Sequence, residues 1–162
     1  MIGGFIYYDA DESEFLFKKD DNNYHMKNTA SGVKQLGIIQ ILLSNRILTR
    51  DSFLIMDEPE THLHPEWQVK LAKLVILLIK ELNITVFINS HSPQFIEAIE
   101  VYSTKYGLKN ETNFYLSQKD ENSAKYNVKQ IPLDKLYELY NNLGDPYDII
   151  DKVRGKNIAN HL

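Results

Sequence analysis

The sequence predicts an α/β fold: a largely parallel sheet with flanking helices, plus a few antiparallel strands contributed by the ends of the chain. Two observations carry this. Residues 53–56 (Phe-Leu-Ile-Met) and 84–88 (Ile-Thr-Val-Phe-Ile) are short apolar runs of the kind that form strands buried on both faces. Between them, residues 65–82 repeat apolar side chains at helical spacing, and the strand, helix, strand, helix order implies a parallel sheet.

Taken in order, residues 5–8 and 14–18 read as two short strands around the acidic turn Asp9-Ala10-Asp11-Glu12, a hairpin or a sheet margin. Residues 22–29 are a polar stretch to which no element is assigned. From 33 to 48 the pattern is helical, with Val33, Leu36, Ile39, Leu43 and Ile47 at spacings of three and four and Ser31 as the expected N-cap. The run 53–56 stops at Asp57-Glu58-Pro59. In the helix over 65–82, Pro65 suits the first turn, and Trp67, Leu71, Leu74, Leu78 and Leu82 form a broad apolar face. After the strand 84–88 come Asn89-Ser90-His91-Ser92-Pro93 and a shorter helix to about Ile99. Residues 113–116 and 126–131 read as strands. A helical segment follows with Leu133, Leu136, Tyr137, Tyr140 and Leu143, which Gly144 is placed to stop, and 151–162 is a polar end.

At 162 residues, 43% of them hydrophobic, the chain has material for one domain with a real core, and no repeat or low-complexity segment argues otherwise. A net charge of -4 gives no general attraction to phosphodiester backbones, leaving nucleic acid to a larger assembly. The absence of Cys excludes disulfides and thiolate metal sites, and residues 1–4 lack the character of a signal peptide. The longest apolar stretch, 74–79, is far below the roughly 20 residues of a bilayer crossing. A cytoplasmic protein without a membrane segment is expected.

Chemistry is expected where the two apolar strands end, because parallel sheets place ligand sites at the carboxyl ends of their strands. An Asp there can hold magnesium, commonly through water, and a neighbouring Glu can orient and deprotonate an attacking water. Asp57 suits the first role and Glu58 the second. His91, at the end of the next strand, falls at the same edge if the two strands are neighbours. Glu58, Glu60, His62 and His64 alternate, and on an extended loop all four would point one way, as in a metal-dependent hydrolase. Before the first long helix, Ser31-Gly32 is a weak signal for a helix N-terminus able to bind phosphate.

The residues 53–65, Phe-Leu-Ile-Met-Asp-Glu-Pro-Glu-Thr-His-Leu-His-Pro, followed by Ile-Asn-Ser-His-Ser-Pro at 88–93, resemble the ABC-type ATPases. The branch is that of the OLD-family and RecF/SMC-like bacterial ATPases, grouped with AAA ATPases, of phage defence and DNA maintenance. The resemblance implies the C-terminal half of a P-loop NTPase-like domain that uses ATP and magnesium. It covers a signature-like segment at 29–35, Walker B at 53–58, a D-loop at 59–65 and a switch-histidine region at 89–93. On it, Asp57 would be the Walker B aspartate, Glu58 the catalytic glutamate, and His91 the switch histidine on the γ-phosphate. Glu60, His62 and His64 would lie at a dimer contact, and Ser31 and Gly32 would act in trans on ATP held by the other subunit.

One departure governs the functional expectation. No Gly-x-x-x-x-Gly-Lys-Ser/Thr occurs in the sequence, and Gly3-Gly4 has no following Lys. The resemblance therefore implies a partner: a second ATPase subunit, the missing N-terminal half, or a homo-oligomer. A non-catalytic module that pairs with a complete ATPase is the alternative.

Overall fold

The acidic turn at Asp9 folds the first two strands back on one another. β1 (Phe5–Asp9) and β2 (Glu14–Lys19) pair antiparallel, with Phe5 opposite Lys18 and Asp9 opposite Glu14. The Asp9 carboxylate caps the turn, accepting the backbone N–H groups of Asp11 at 3.0 Å and Glu12 at 3.1 Å. A third strand, β3 (Asn22–His25), pairs antiparallel with β2 inside the polar stretch to which the sequence pattern assigns no element. β3 lies at the edge of its sheet and is largely exposed, so burial left no alternating pattern to read.

This computed structural model describes residues 3–120, 125–137, 139 and 143, and the chain divides into two units, Met1–Leu108 and Lys109–Leu162. In the first unit, α1 (Ser31–Ser44) packs on β1. The approach is close: a Cβ on Gly37 would lie 1.7 Å from Ile6 Cδ1, so any side chain there would force the buried Ile6 to move. Ile6 and Phe17 are buried. The helix ends short of the expected position 48, because Arg46 takes a positive φ of 56° and the chain turns back, with Ile47 and Leu48 N–H groups both on the Leu42 carbonyl.

β4 (Phe53–Asp57) and β5 (Thr85–Asn89) pair parallel, as expected, and α2 (Pro65–Leu82) connects them before α3 (Pro93–Lys105). Leu71, Ala72 and Val75 of α2 and Phe95 of α3 are almost wholly buried and form the centre of the core. Each large apolar side chain there contributes about 1.5–3 kcal/mol by burial. Asn83 closes α2 in the left-handed region and donates to Asp51 Oδ1 at 2.6 Å. The expectation that both strands are buried on both faces does not hold. Leu54, Met56, Val86 and Ile88 pack on the helical core, whereas Phe53, Ile55 and Phe87 on the opposite face are exposed.

In the second unit, β6 (Phe114–Lys119) and β7 (Tyr126–Ile131) form an antiparallel pair with Phe114 opposite Ile131, and a 3₁₀ turn spans Leu133–Lys135. Tyr140, Gly144 and residues 151–162, on which expectations were placed, lie outside the described residues. Among the described residues, no helix is long and apolar enough to cross a membrane.

Candidate functional site

Parallel pairing sets Asp57 opposite Asn89, so β4 and β5 end at one edge of the sheet. The Asn89 side-chain amide donates to Asp57 Oδ1 at 2.8 Å, orienting an exposed carboxylate. One residue on, Glu58 leaves the strand with φ of 43°, a region that non-glycine residues rarely adopt, while its N–H donates to the Asn89 carbonyl at 2.8 Å. That turn brings Glu58 Oε1 to 3.1 Å from His91 Nδ1, and Glu58 Oε2 accepts from the Thr61 hydroxyl at 3.2 Å. The Glu58 and His91 side chains remain 45% and 68% exposed, within reach of a ligand. Beside them, a groove of about 250 Å³ between α1 and β4 is lined by Ile38, Leu42, Leu54, Asp57 and Pro59.

The loop 59–64 is wound into turns and not extended. Thr61 N–H donates to the Glu58 carbonyl and Leu63 N–H to the Glu60 carbonyl, and His62 takes a φ of 63°. Glu60 is 2% exposed, its Oε1 accepting from the Ser90 hydroxyl at 2.5 Å. His62 and His64 are exposed; the His62 carbonyl accepts from the Ser31 hydroxyl at 2.6 Å. His64 caps α2, its Nδ1 accepting the Glu66 N–H at 3.3 Å ahead of Pro65. Lys70, hydrogen-bonded to the exposed Glu66 carboxylate at 2.6 Å, holds its pKa below the ordinary value. Glu58, Glu60, His62 and His64 therefore do not face one point, and the arrangement for a hydrolytic metal cluster is not formed. Among the described residues, the one His and carboxylate group of three with mutually close ligand atoms is Glu12 in the first turn with Glu14 on β2 and His25 on β3.

Ser31 is not the N-cap. Ala30 occupies that position without a side-chain hydrogen bond, and Ser31 is the first helical residue, its hydroxyl directed at His62. Gly32 is buried against the Trp67 indole, where a Cβ would stand 3.0 Å from Cδ2. The two residues thus join the start of α1 to the 59–65 loop and α2. Sequence reasoning passed over Asn89, Ser90, Ser92 and Gln68. Ser92 had a readable signal, since a Ser before Pro at a helix start is a cap pattern, and its hydroxyl does accept the Phe95 N–H. Gln68 had none.

The donor set at the edge suits a hard cation. An oriented, exposed Asp57 oxygen fits magnesium held mostly by water and by ligand oxygens, whereas no residue here forms a phosphate cradle. Glu58, with His91 beside it, is placed to take a proton from a water at the same edge.

A family model described as AAA ATPase domain matches residues 3–96, a span that includes all the site residues above. Among solved structures, one described as "Structural biochemistry of ATP-driven dimerization and DNA stimulated activation of SMC ATPases" superposes with a TM-score of 0.60. Its sequence is 13% identical, and the match covers 88% of this chain and 83% of that one. At that identity the likeness establishes the fold, which is the P-loop NTPase-like α/β arrangement expected. No curated protein matches the chain.

Proposed function

The chain belongs to the AAA ATPase domain family, and from that membership we propose that Asp57, Glu58 and His91 form the hydrolytic side of an ATP site. Its phosphate loop comes from another segment or subunit, because no such loop occurs in these 162 residues. The observation that supports this best is the 3.1 Å approach of Glu58 to His91 beside Asp57, made by two strand ends in register.

Magnesium, when bound through Asp57, would neutralise charge on the phosphates. Glu58 holds the attacking water in line with the γ-phosphate and accepts its proton. His91, alongside, contacts the γ-phosphate and fixes the geometry of that attack. Ser31 and Gly32 act in trans on ATP bound to a second subunit, and the exposed His62 and His64 contact that subunit. A cytoplasmic dimer in a phage-defence or DNA-maintenance system is the setting this reading favours. The missing phosphate loop equally favours an interaction module that pairs with a complete ATPase, and one experiment separates the two.

In the assembly that supplies the phosphate loop, Glu58→Gln keeps the size and water contact of the side chain but cannot take a proton. Turnover should fall by about 10²–10⁴ while ATP binding persists. Asp57→Asn should instead lower the magnesium-dependent affinity along with the rate. If turnover stays within a few-fold of wild type in both, the chain is an interaction module and the hydrolytic assignment is wrong.

A further inference from the structure

Among the described residues, Glu60 is the one buried charged side chain, and its second carboxylate oxygen, Oε2, has no hydrogen-bond partner. A half-satisfied buried carboxylate works against stability, so its presence calls for a role other than holding the fold. Its connections indicate that role. Glu60 Oε1 accepts from the Ser90 hydroxyl, whose oxygen in turn accepts the Ser92 N–H at 3.2 Å. The Ser92 hydroxyl donates to Gln68 Oε1 at 2.9 Å, Gln68 Nε2 donates to the Leu63 carbonyl at 3.2 Å, and Leu63 N–H returns to the Glu60 carbonyl at 3.0 Å. These bonds close a ring that ties the loop after β4 to the loop after β5, with the first turns of α2 and α3 as its frame.

His91 sits between Ser90 and Ser92, the two ring members on its own loop, and Glu58 sits two residues before Glu60. We propose that Glu60 is a positioning residue: through the ring with Ser90, Ser92, Gln68 and Leu63 it fixes where His91 stands against Glu58. The inference rests on the reading of Glu58 and His91 as the hydrolytic pair. It also gives Glu60 a task inside its own chain, since a side chain so buried cannot offer its carboxylate to a second subunit. Ring members on both loops let a displacement of the loop 59–64 reach His91 without passing through either strand.

The test uses the full chain in solution, with the nuclear Overhauser effect between the His91 ring Hε1 and the Glu58 side chain as readout and thermal unfolding as control. Glu60→Gln retains an oxygen for Ser90 and should keep the signal. Ser90→Ala and Glu60→Leu should lose it. Leucine fills the space with apolar atoms and removes the orphan oxygen, so the unfolding midpoint should hold or rise, which separates lost positioning from damage to the fold. Should the leucine variant not fold, Ser90→Ala carries the same comparison with a smaller change. Persistence of the signal in Ser90→Ala or in a folded Glu60→Leu overturns the proposal, as does its loss in Glu60→Gln. The readout involves no nucleotide. A contact that depends on Glu60 together with a Glu58→Gln variant of normal turnover would sink the ATPase reading and leave the positioning intact.

Discussion

Replacing Gly32 tests the joint between the start of α1 and α2 on which Ser31 and His62 depend. A Cβ at position 32 would lie 3.0, 3.1 and 3.3 Å from Cδ2, Cε3 and Cγ of Trp67, so one methyl asks the indole to retreat by a few tenths of an ångström. Trp67 is only half-buried, with Lys70 Nζ 4.9 Å from its ring centroid, so part of its surface borders solvent. Against this small cost stands the helix propensity of alanine over glycine, about 1 kcal/mol in a helix interior and less in the first turn. Gly32→Ala should therefore be near neutral. Gly32→Val adds two further methyl groups toward the same ring and a β-branch, and overpacking of that kind costs about 1–3 kcal/mol. With a urea slope of about 1–3 kcal/mol per molar, the unfolding midpoint should drop by roughly 1 M. The single Trp of the chain reports the transition by fluorescence, and its emission in the folded valine variant should shift as the ring is pushed toward water. A valine variant with the wild-type midpoint and emission would mean that α1 does not rest on Trp67, and the link from Ser31 to His62 would fall with it.

Other consequences are direct. Leu71→Ala, at a fully buried position of the core, should cost about 2–5 kcal/mol, measured by the same urea titration; a loss below 1 kcal/mol would contradict the packing described. Calorimetric titration of the chain alone with Mg-ATP should show no micromolar binding, because Asp57 and His91 do not replace a phosphate cradle. Tight binding would reveal a nucleotide site elsewhere on the chain. Phe53, Ile55 and Phe87 remain 63%, 67% and 55% exposed on one face of the β4–β5 pair, so the chain should self-associate or bind an apolar dye in proportion to that face. Ile55→Ser with Phe87→Ser should suppress both, and a monomer with no dye binding before substitution would refute this.

Most of the elements, and the sheet edge that carries the candidate site, are legible in the residues themselves, although β3 and the end of α1 are not. The apolar runs at 53–56 and 84–88, the helical spacing over 65–82 and the two-strand start of the chain are local patterns, set by which side chains a pleat or a helix turn can bury. A parallel sheet followed from the strand, helix, strand order, but the meeting of Asp57, Glu58 and His91 also required the two strands to be direct neighbours, as they are. Contacts between distant parts of the chain settled what the local pattern could not carry. Phe53, Ile55 and Phe87 read as core because their residue type is apolar, yet what covers a sheet face depends on the elements stacked on it, and α2 and α3 cover the other one. Glu60 alternates with two histidines as if on an extended loop. Positive φ values at Glu58 and His62 wind that loop instead, and Ser90, thirty positions away, draws the carboxylate inward. Ser31 has the residue type of an N-cap, but the helix opens one residue earlier with Ala30 as cap, and the Ser31 hydroxyl donates instead to the His62 carbonyl, thirty-one positions away. In each case the deciding contact joins residues far apart in the chain, and neighbouring side chains hold no trace of it.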